Sequence, residues 1–222
     1  MRSCLIPSGF AVALLFVAGT AAAVLSGAAA PGFTITDTAG KAVRLADYKG
    51  KYVVLEWTNP ECPFVRKHYS SGNMQSLQKE WGGREVVWLA INSTNAGHSE
   101  FKTPREMSDW LQAQGAAPTA TLLDSTSATG RAYAAKTTPH MFVVDPAGKI
   151  VYAGAIDDKR SANPADAKSA HNYVRAALNE SQFTEQDPRG VPIVKAQFNT
   201  VTPENILKWE NVHPRAGEYA FD

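Results

Sequence analysis

The chain predicts an α/β domain, a central mixed β-sheet flanked by helices, followed by an irregular C-terminal extension. Three observations carry that class. Through the middle of the chain, apolar runs of strand length alternate with longer stretches at helical spacing. That alternation calls for mostly parallel strands with helices on both faces. Hairpin-like pairs stand before and after the alternating part, and beyond residue 180 the periodicity gives way to prolines and scattered aromatics.

Phe33–Thr36 and Ala42–Leu45 flank the turn Asp37-Thr38-Ala39-Gly40 and read as a short hairpin. Tyr52–Trp57 (YVVLEW) follows Lys49-Gly50-Lys51 as an apolar strand. From Cys62 to about Trp81 the spacing predicts one helix with Phe64, Val65, Tyr69, Met74 and Leu77 toward the core, weakened at Gly72. Val86–Ile91 (VVWLAI) is a second buried strand. Thr103-Pro104-Arg105-Glu106 starts a helix: Thr caps, Pro takes the first helical position, and Glu at the third closes a capping box. That helix runs to about Gln114 and stops at Gly115. Thr119–Leu123 is a strand, Thr129–Ala135 a short helix and Met141–Val144 a further strand. Asp145-Pro146-Ala147-Gly148 turns the chain into Ile150–Ala153, and Pro164–Leu178 closes the domain as a helix.

At the N-terminus, Arg2 precedes an apolar run from Leu5 to about Leu25 and the small residues Ala28, Ala29 and Ala30. This basic start, apolar middle and small-residue exit is the layout of a secretory signal peptide over residues 1–28, implying a periplasmic or secreted protein. The alternative is an uncleaved N-terminal membrane anchor. The expected domain then covers residues 31–180 and the extension residues 181–222. Loss of Arg2 with the signal leaves 21 basic and 21 acidic residues. A neutral chain without basic runs offers no footprint for nucleic acid or, once the signal is gone, for a membrane. Cys4 leaves with the signal, so the mature chain keeps Cys62 and no internal disulfide.

Cys62 lies just past an apolar strand and directly before a helix, in WTNPECPFVRKH. There, unpaired backbone N–H groups and the positive end of the helix dipole favour thiolate. The competing reading is a buried structural cysteine. Glu56 interrupts the buried strand YVVLEW, where a carboxylate needs a reason. It either shuttles a proton for the cysteine or pairs with a lysine such as Lys51 or Lys67. Thr137-Thr138-Pro139 precedes the strand MFVV, a setting that suits a cis-proline.

These residues together resemble the thioredoxin fold, in its peroxiredoxin-like (AhpC/TSA-like) redoxin branch. The resemblance spans about Phe33 to Leu178 and rests on VVLEWTNPECPFV, KTTPHMFVVD and KIVYAGAIDD. It implies that Cys62 is the attacking thiol, that Glu56 is the acid six positions before it, and that Thr138 and Pro139 face the thiol. Two departures stand out. Val65 replaces the second cysteine of C-x-x-C, and Leu55 and Asn59 replace the proline and threonine of P-x-x-x-T-x-x-C. Many of the exported proteins it resembles end in a short tail with a further cysteine, which this tail lacks.

The implied function is a thiol-dependent oxidoreductase acting on a disulfide or peroxide, with an external thiol or redox protein as reductant and no cofactor. Two alternatives stand beside it. One is metal handling through Cys62, His140 and His68; the other is a non-catalytic binding module. Asp157-Asp158 reads as a solvated loop. Asn92-Ser93-Thr94 and Asn179-Glu180-Ser181 match glycosylation sequons.

Overall fold

The computed structural model describes residues 26–82, 84 and 86–186. Residues 1–25 of the expected signal peptide and residues 187–222 of the expected extension lie outside them; residues 26–28, at the expected end of the signal, are described, and the carbonyl of Ala28 accepts the N–H of Ile150. Strands β1 (Thr34–Thr36) and β2 (Ala42–Arg44) form the expected antiparallel hairpin. Its turn closes through Asp37, whose Oδ1 accepts from the N–H groups of Ala39 and Lys41.

The main sheet comprises β3 (Val53–Trp57), β4 (Val87–Asn92), β5 (Ala120–Leu123), β6 (His140–Val144) and β7 (Ile150–Gly154), in the order β5-β4-β3-β6-β7. β3, β4 and β5 run parallel, whereas β6 pairs antiparallel with both β3 and β7. The sheet is therefore mixed, with fewer parallel pairs than the alternation implied. Periodicity reports which elements exist and is silent on strand direction.

Alternation along β3 divides the core in two. Val53, Leu55 and Trp57 pack with Ile35, Val43 and Tyr133 on one face. Val54 packs with Val65, Tyr69 and Trp88 on the other. Each fully buried side chain of this size contributes about 1.5–3 kcal/mol. Helices α1 (Pro63–Ser70), α2 (Asn73–Gly82), α3 (Pro104–Ala113) and α5 (Tyr173–Gln186) all send residues into that second face. The first face is closed by the β1–β2 hairpin and by Tyr133, the residue after α4 (Ala128–Ala132).

Three helical expectations are corrected. The single helix expected from Cys62 to Trp81 is two, because Gly72 takes a left-handed φ of +76° that ends α1 and lets α2 start in a new direction. Phe64, expected in the core, is 43% exposed; the buried stripe of α1 runs through Val65, His68 and Tyr69 instead. The helix expected from Pro164 is a short 3-10 turn, Pro164–Lys168, after which α5 begins afresh where Asn172 accepts the N–H of Arg175. Helix α5 then continues to Gln186, across the expected boundary at residue 180. At α3 the expected capping box forms in full, Thr103 and Glu106 bonding reciprocally. Among the described residues, no helix is long and apolar enough to cross a membrane.

Candidate functional site

The strand end of β3, the loop 58–61 and the start of α1 place Cys62. Asn59 shapes the loop: its backbone carbonyl accepts the N–H of Cys62, and its side-chain Oδ1 accepts the N–H of Glu61. Its amide donates to Glu100 at 3.0 Å, which pins the loop to the segment before α3. Cys62 is the N-cap of α1, with extended φ and ψ, and Pro63 stands at the first helical position, where no N–H is needed. The thiol is half-buried and donates to the carbonyl oxygen of Thr138 at 2.9 Å. Thr138–Pro139 is a cis peptide, directly before β6. Since β6 lies beside β3, with His140 opposite Trp57, the fold brings Cys62, Thr138 and Pro139 to one end of the sheet.

Glu56 lies one strand position before Trp57, on the face that α1 covers. It is 1% exposed. Oε1 accepts from the Tyr69 hydroxyl at 2.8 Å, and Oε2 accepts from the Trp88 indole N–H at 2.8 Å and from the Gln78 amide at 3.4 Å. Neither Lys51 nor Lys67 is among these partners, which are all neutral donors. Burial raises the Glu56 carboxyl above the usual carboxylate range, with the bonds from Trp88, Tyr69 and Gln78 opposing it. Tyr69 is in turn pushed well above the ordinary phenol range, first by burial and then by Glu56.

Lys67 has a different partner. Its Nζ is fully buried, 2.8 Å from Asp157 Oδ2, and it also donates to the carbonyl of Lys159 at 2.9 Å. Asp157 is therefore a buried ion-pair partner, correcting the reading of a solvated loop; Asp158 keeps that character, exposed and accepting the N–H of His171. His68 is buried beside the pair, with Nδ1 bonded to Asn73 and Nε2 3.7 Å from Asp157. Burial, aided by Lys67, lowers its pKa to about 4. His140 is likewise lowered to about 4 by burial. Among the described residues, no three or more His, Cys, Asp or Glu side chains are grouped to hold a metal ion. Asn92 is buried and donates to the carbonyl of Thr58, so its sequon is inaccessible in the folded domain.

Sequence reasoning missed Trp88 and Gln78 as partners of Glu56, and missed the Lys67–Asp157 pair. Tyr69 was recognised only as a core residue. A buried Trp or Tyr needs a hydrogen-bond partner, and an unexplained Glu on the neighbouring strand was the available signal.

Comparison with known proteins gives two matches to family models, on different parts of the chain. The AhpC/TSA family model matches residues 26–153. The model of glycosyl hydrolase family 10 matches residues 163–222. The thiol-disulfide oxidoreductase ResA of Bacillus subtilis (strain 168) is 27% identical over 58% of this chain and 66% of its own length. An endo-1,4-beta-xylanase of Naganishia albida is 34% identical over 29% of this chain, which spans only 19% of that enzyme. The crystal structure of an uncharacterized conserved protein from Geobacillus kaustophilus superposes with a TM-score of 0.61 at 30% identity, covering 70% of this chain and 81% of that one. The sheet order, the cysteine at the start of α1 and a family match over more than half of the residues agree: the chain belongs to the AhpC/TSA family, on a thioredoxin-like fold.

Proposed function

We propose that this protein is an exported thiol-dependent oxidoreductase in which the Cys62 thiolate attacks a disulfide or a peroxide. The observation that carries the reading is the placement of Cys62 at the start of α1, bonded to the carbonyl before Pro139, on the sheet face that buries Glu56. With a disulfide, the sulfur of Cys62 bonds to one substrate sulfur and the other leaves as thiolate, giving a mixed disulfide. With a peroxide, Cys62 takes one oxygen to become a sulfenic acid, and the other oxygen leaves with a proton as alcohol or water. An external thiol condenses with the sulfenic acid, releasing water, and a second thiol then frees Cys62 as its own disulfide forms. Val65, where a second cysteine would stand, is buried in the core, so no partner thiol lies on α1. Glu56, whose carboxyl burial raises above the usual carboxylate range, is the group suited to exchange a proton with the thiol. Thr138 and Pro139 hold the backbone against which the sulfur is set. The apolar N-terminal segment supports a periplasmic or secreted location.

Mass spectrometry of Cys62 after peroxide, and then after glutathione, tests this reading. The expected result is addition of one oxygen or of one glutathione at Cys62, with nothing added in Cys62→Ser. A Cys62 unmodified by both peroxide and a small disulfide overturns it.

A second reading concerns the C-terminal segment, favoured by the glycosyl hydrolase family 10 match over residues 163–222. In it, residues 187–222, with Phe198, Trp209, Tyr219 and Phe221, belong to a polysaccharide-directed region joined to the redox domain. Co-sedimentation with xylan, for the full chain and for a chain ending at Gln186, separates the cases. Binding by the full chain alone supports the reading; equal absence of binding removes it.

A further inference from the structure

Residues 26–30 run along the outer edge of β7, the last strand in the sheet order. Gly27 donates its N–H to the carbonyl of Ile150 at 2.6 Å, the carbonyl of Ala28 accepts the N–H of Ile150 at 2.9 Å, and Ala30 donates to the carbonyl of Gly148 at 2.8 Å. Ala29 pairs antiparallel with Lys149, and the Ser26 hydroxyl donates to the carbonyl of Val151 at 3.2 Å. The segment then enters the domain. Ala30 packs against the cluster around Leu55 and Trp57, and the carbonyl of Pro31 accepts the Tyr133 hydroxyl at 2.8 Å.

A bare strand edge presents a row of unpaired N–H and C=O groups, a template for pairing with another chain. Residues 26–30 cover that edge as a strap. A signal ending at Ala28 would carry away Ser26, Gly27 and Ala28, and with them the bonds to Val151 and both bonds to Ile150. The sequence holds an earlier exit that spares the strap. Ala21 and Ala23 have the A-x-A spacing of a signal cleavage site. Ahead of them, Phe10–Ala18 is an apolar run of nine residues, within the range of about 7–15 for the apolar part of a signal. A cut after Ala28 would instead leave Val24 and Leu25 inside the small-residue exit. The family match, too, begins at residue 26, inside the longer signal and outside the shorter one.

We propose that the processing site of this protein is the Ala23–Val24 bond, and that the strap of residues 26–30 stays with the mature domain to close the edge of β7. A signal peptidase adds water across that amide, leaving a carboxylate on Ala23 and the new amino terminus on Val24. The expected signal is thereby shortened from residues 1–28 to residues 1–23. This inference rests on the exported location proposed for the protein and is independent of the chemistry at Cys62.

The test produces the full chain, with its own N-terminus, in a secreting bacterial host and reads the amino terminus of the exported protein by intact mass and N-terminal sequencing. A start at Val24 is expected. Any other start, Ala29 above all, overturns the inference, as does an exported chain that keeps Met1. Ala23→Leu should leave unprocessed precursor, whereas Ala28→Leu, at an exposed position of the strap, should leave the start at Val24; the reverse pattern overturns the site. The strap is read separately by hydrogen exchange at the Ile150 amide, in chains beginning at Val24 and at Ala29. Exchange should be about tenfold faster in the shorter chain, which lacks the acceptor on Ala28. Equal protection in the two chains overturns the strap. A chain found only inside the cell with Met1 in place removes the exported location itself, and this inference with it.

Discussion

Glu56 and Asp157 are both buried acids held by helix α1, and α1 satisfies them in opposite ways. Lys67 meets Asp157 with a full positive charge, whereas Tyr69, two residues on, meets Glu56 with a neutral hydroxyl. Lys67 and Asp157 form a buried ion pair in which removing one partner strands the other, so the pair acts as a fixed strut. A buried carboxyl among neutral donors keeps its proton more readily, because burial penalises the charge that no partner cancels. The difference separates a group that fastens α1 to the segment after β7 from a carboxyl whose raised pKa leaves its proton exchangeable, the property the proposed role at Cys62 requires.

The largest effect is expected at the strut. Lys67→Met leaves Asp157 buried without its cation, and breaking such a pair costs about 3–5 kcal/mol. Urea unfolding measures it. The double variant Lys67→Met with Asp157→Leu should recover most of that loss, because no uncompensated charge remains. A single variant as stable as the parent would show that water reaches Asp157, and the contrast with Glu56 would then fail.

Next in size is Glu56→Gln, which keeps the side chain's shape but turns one of its two acceptor oxygens into an NH2 donor and cannot carry a proton. Formation of the mixed disulfide at Cys62 should slow by about 100-fold, the lower range for loss of a general acid or base, and its pH profile should lose the limb that Glu56 contributes. The same variant has a stability signature of its own. With its pKa raised in the fold, Glu56 contributes stability that is fully present below its ordinary value of 4.5 and is lost as pH rises through the folded value. Stability of Glu56→Gln relative to the parent should therefore increase with pH above 4.5. Urea midpoints across pH check this; a stability of Glu56→Gln relative to the parent that falls as pH rises would mean that the carboxylate, and not the acid, is the form the fold prefers.

How much of this was legible follows from range. Cys62, Pro63 and the strand before them form one local pattern, and Pro139 before MFVV forms another, so the positions of the thiol and the proline could be read directly. Glu56 was visible as an anomaly because one carboxylate in YVVLEW breaks a buried run. Its donors were not, since Trp88 lies 32 residues away on a strand where any large apolar residue would read the same. Lys67 was hidden by its neighbours: in the basic stretch Arg66-Lys67-His68 nothing marks the middle residue as the buried one. Its partner is 90 residues distant. Local grammar also misjudged helix length, reading through Gly72 because the apolar spacing continues across it.

That glycine yields the smallest of these effects and bears on both acids at once. Gly72 has φ +76°, and a Cβ there would meet nothing within 4 Å, so an alanine would suffer from backbone strain and not from crowding. The left-handed conformation costs an L-residue roughly 1–2 kcal/mol, partly offset by the lower entropy of the unfolded chain. Gly72→Ala should accordingly destabilise by about 1 kcal/mol. The turn it relaxes is what lets α1 stop at Ser70 and α2 restart, and α2 supplies Gln78 to Glu56 while α1 supplies Tyr69 and Lys67. Strain at Gly72 should therefore open the Glu56 cage, which is shared between the two helices, before it loosens the Lys67–Asp157 strut, which belongs to α1 alone. Hydrogen exchange at the indole N–H of Trp88, the donor to Glu56, against that at backbone amides of α1 reads the two apart; equal acceleration at both would mean that α1 and its two acids move as one body.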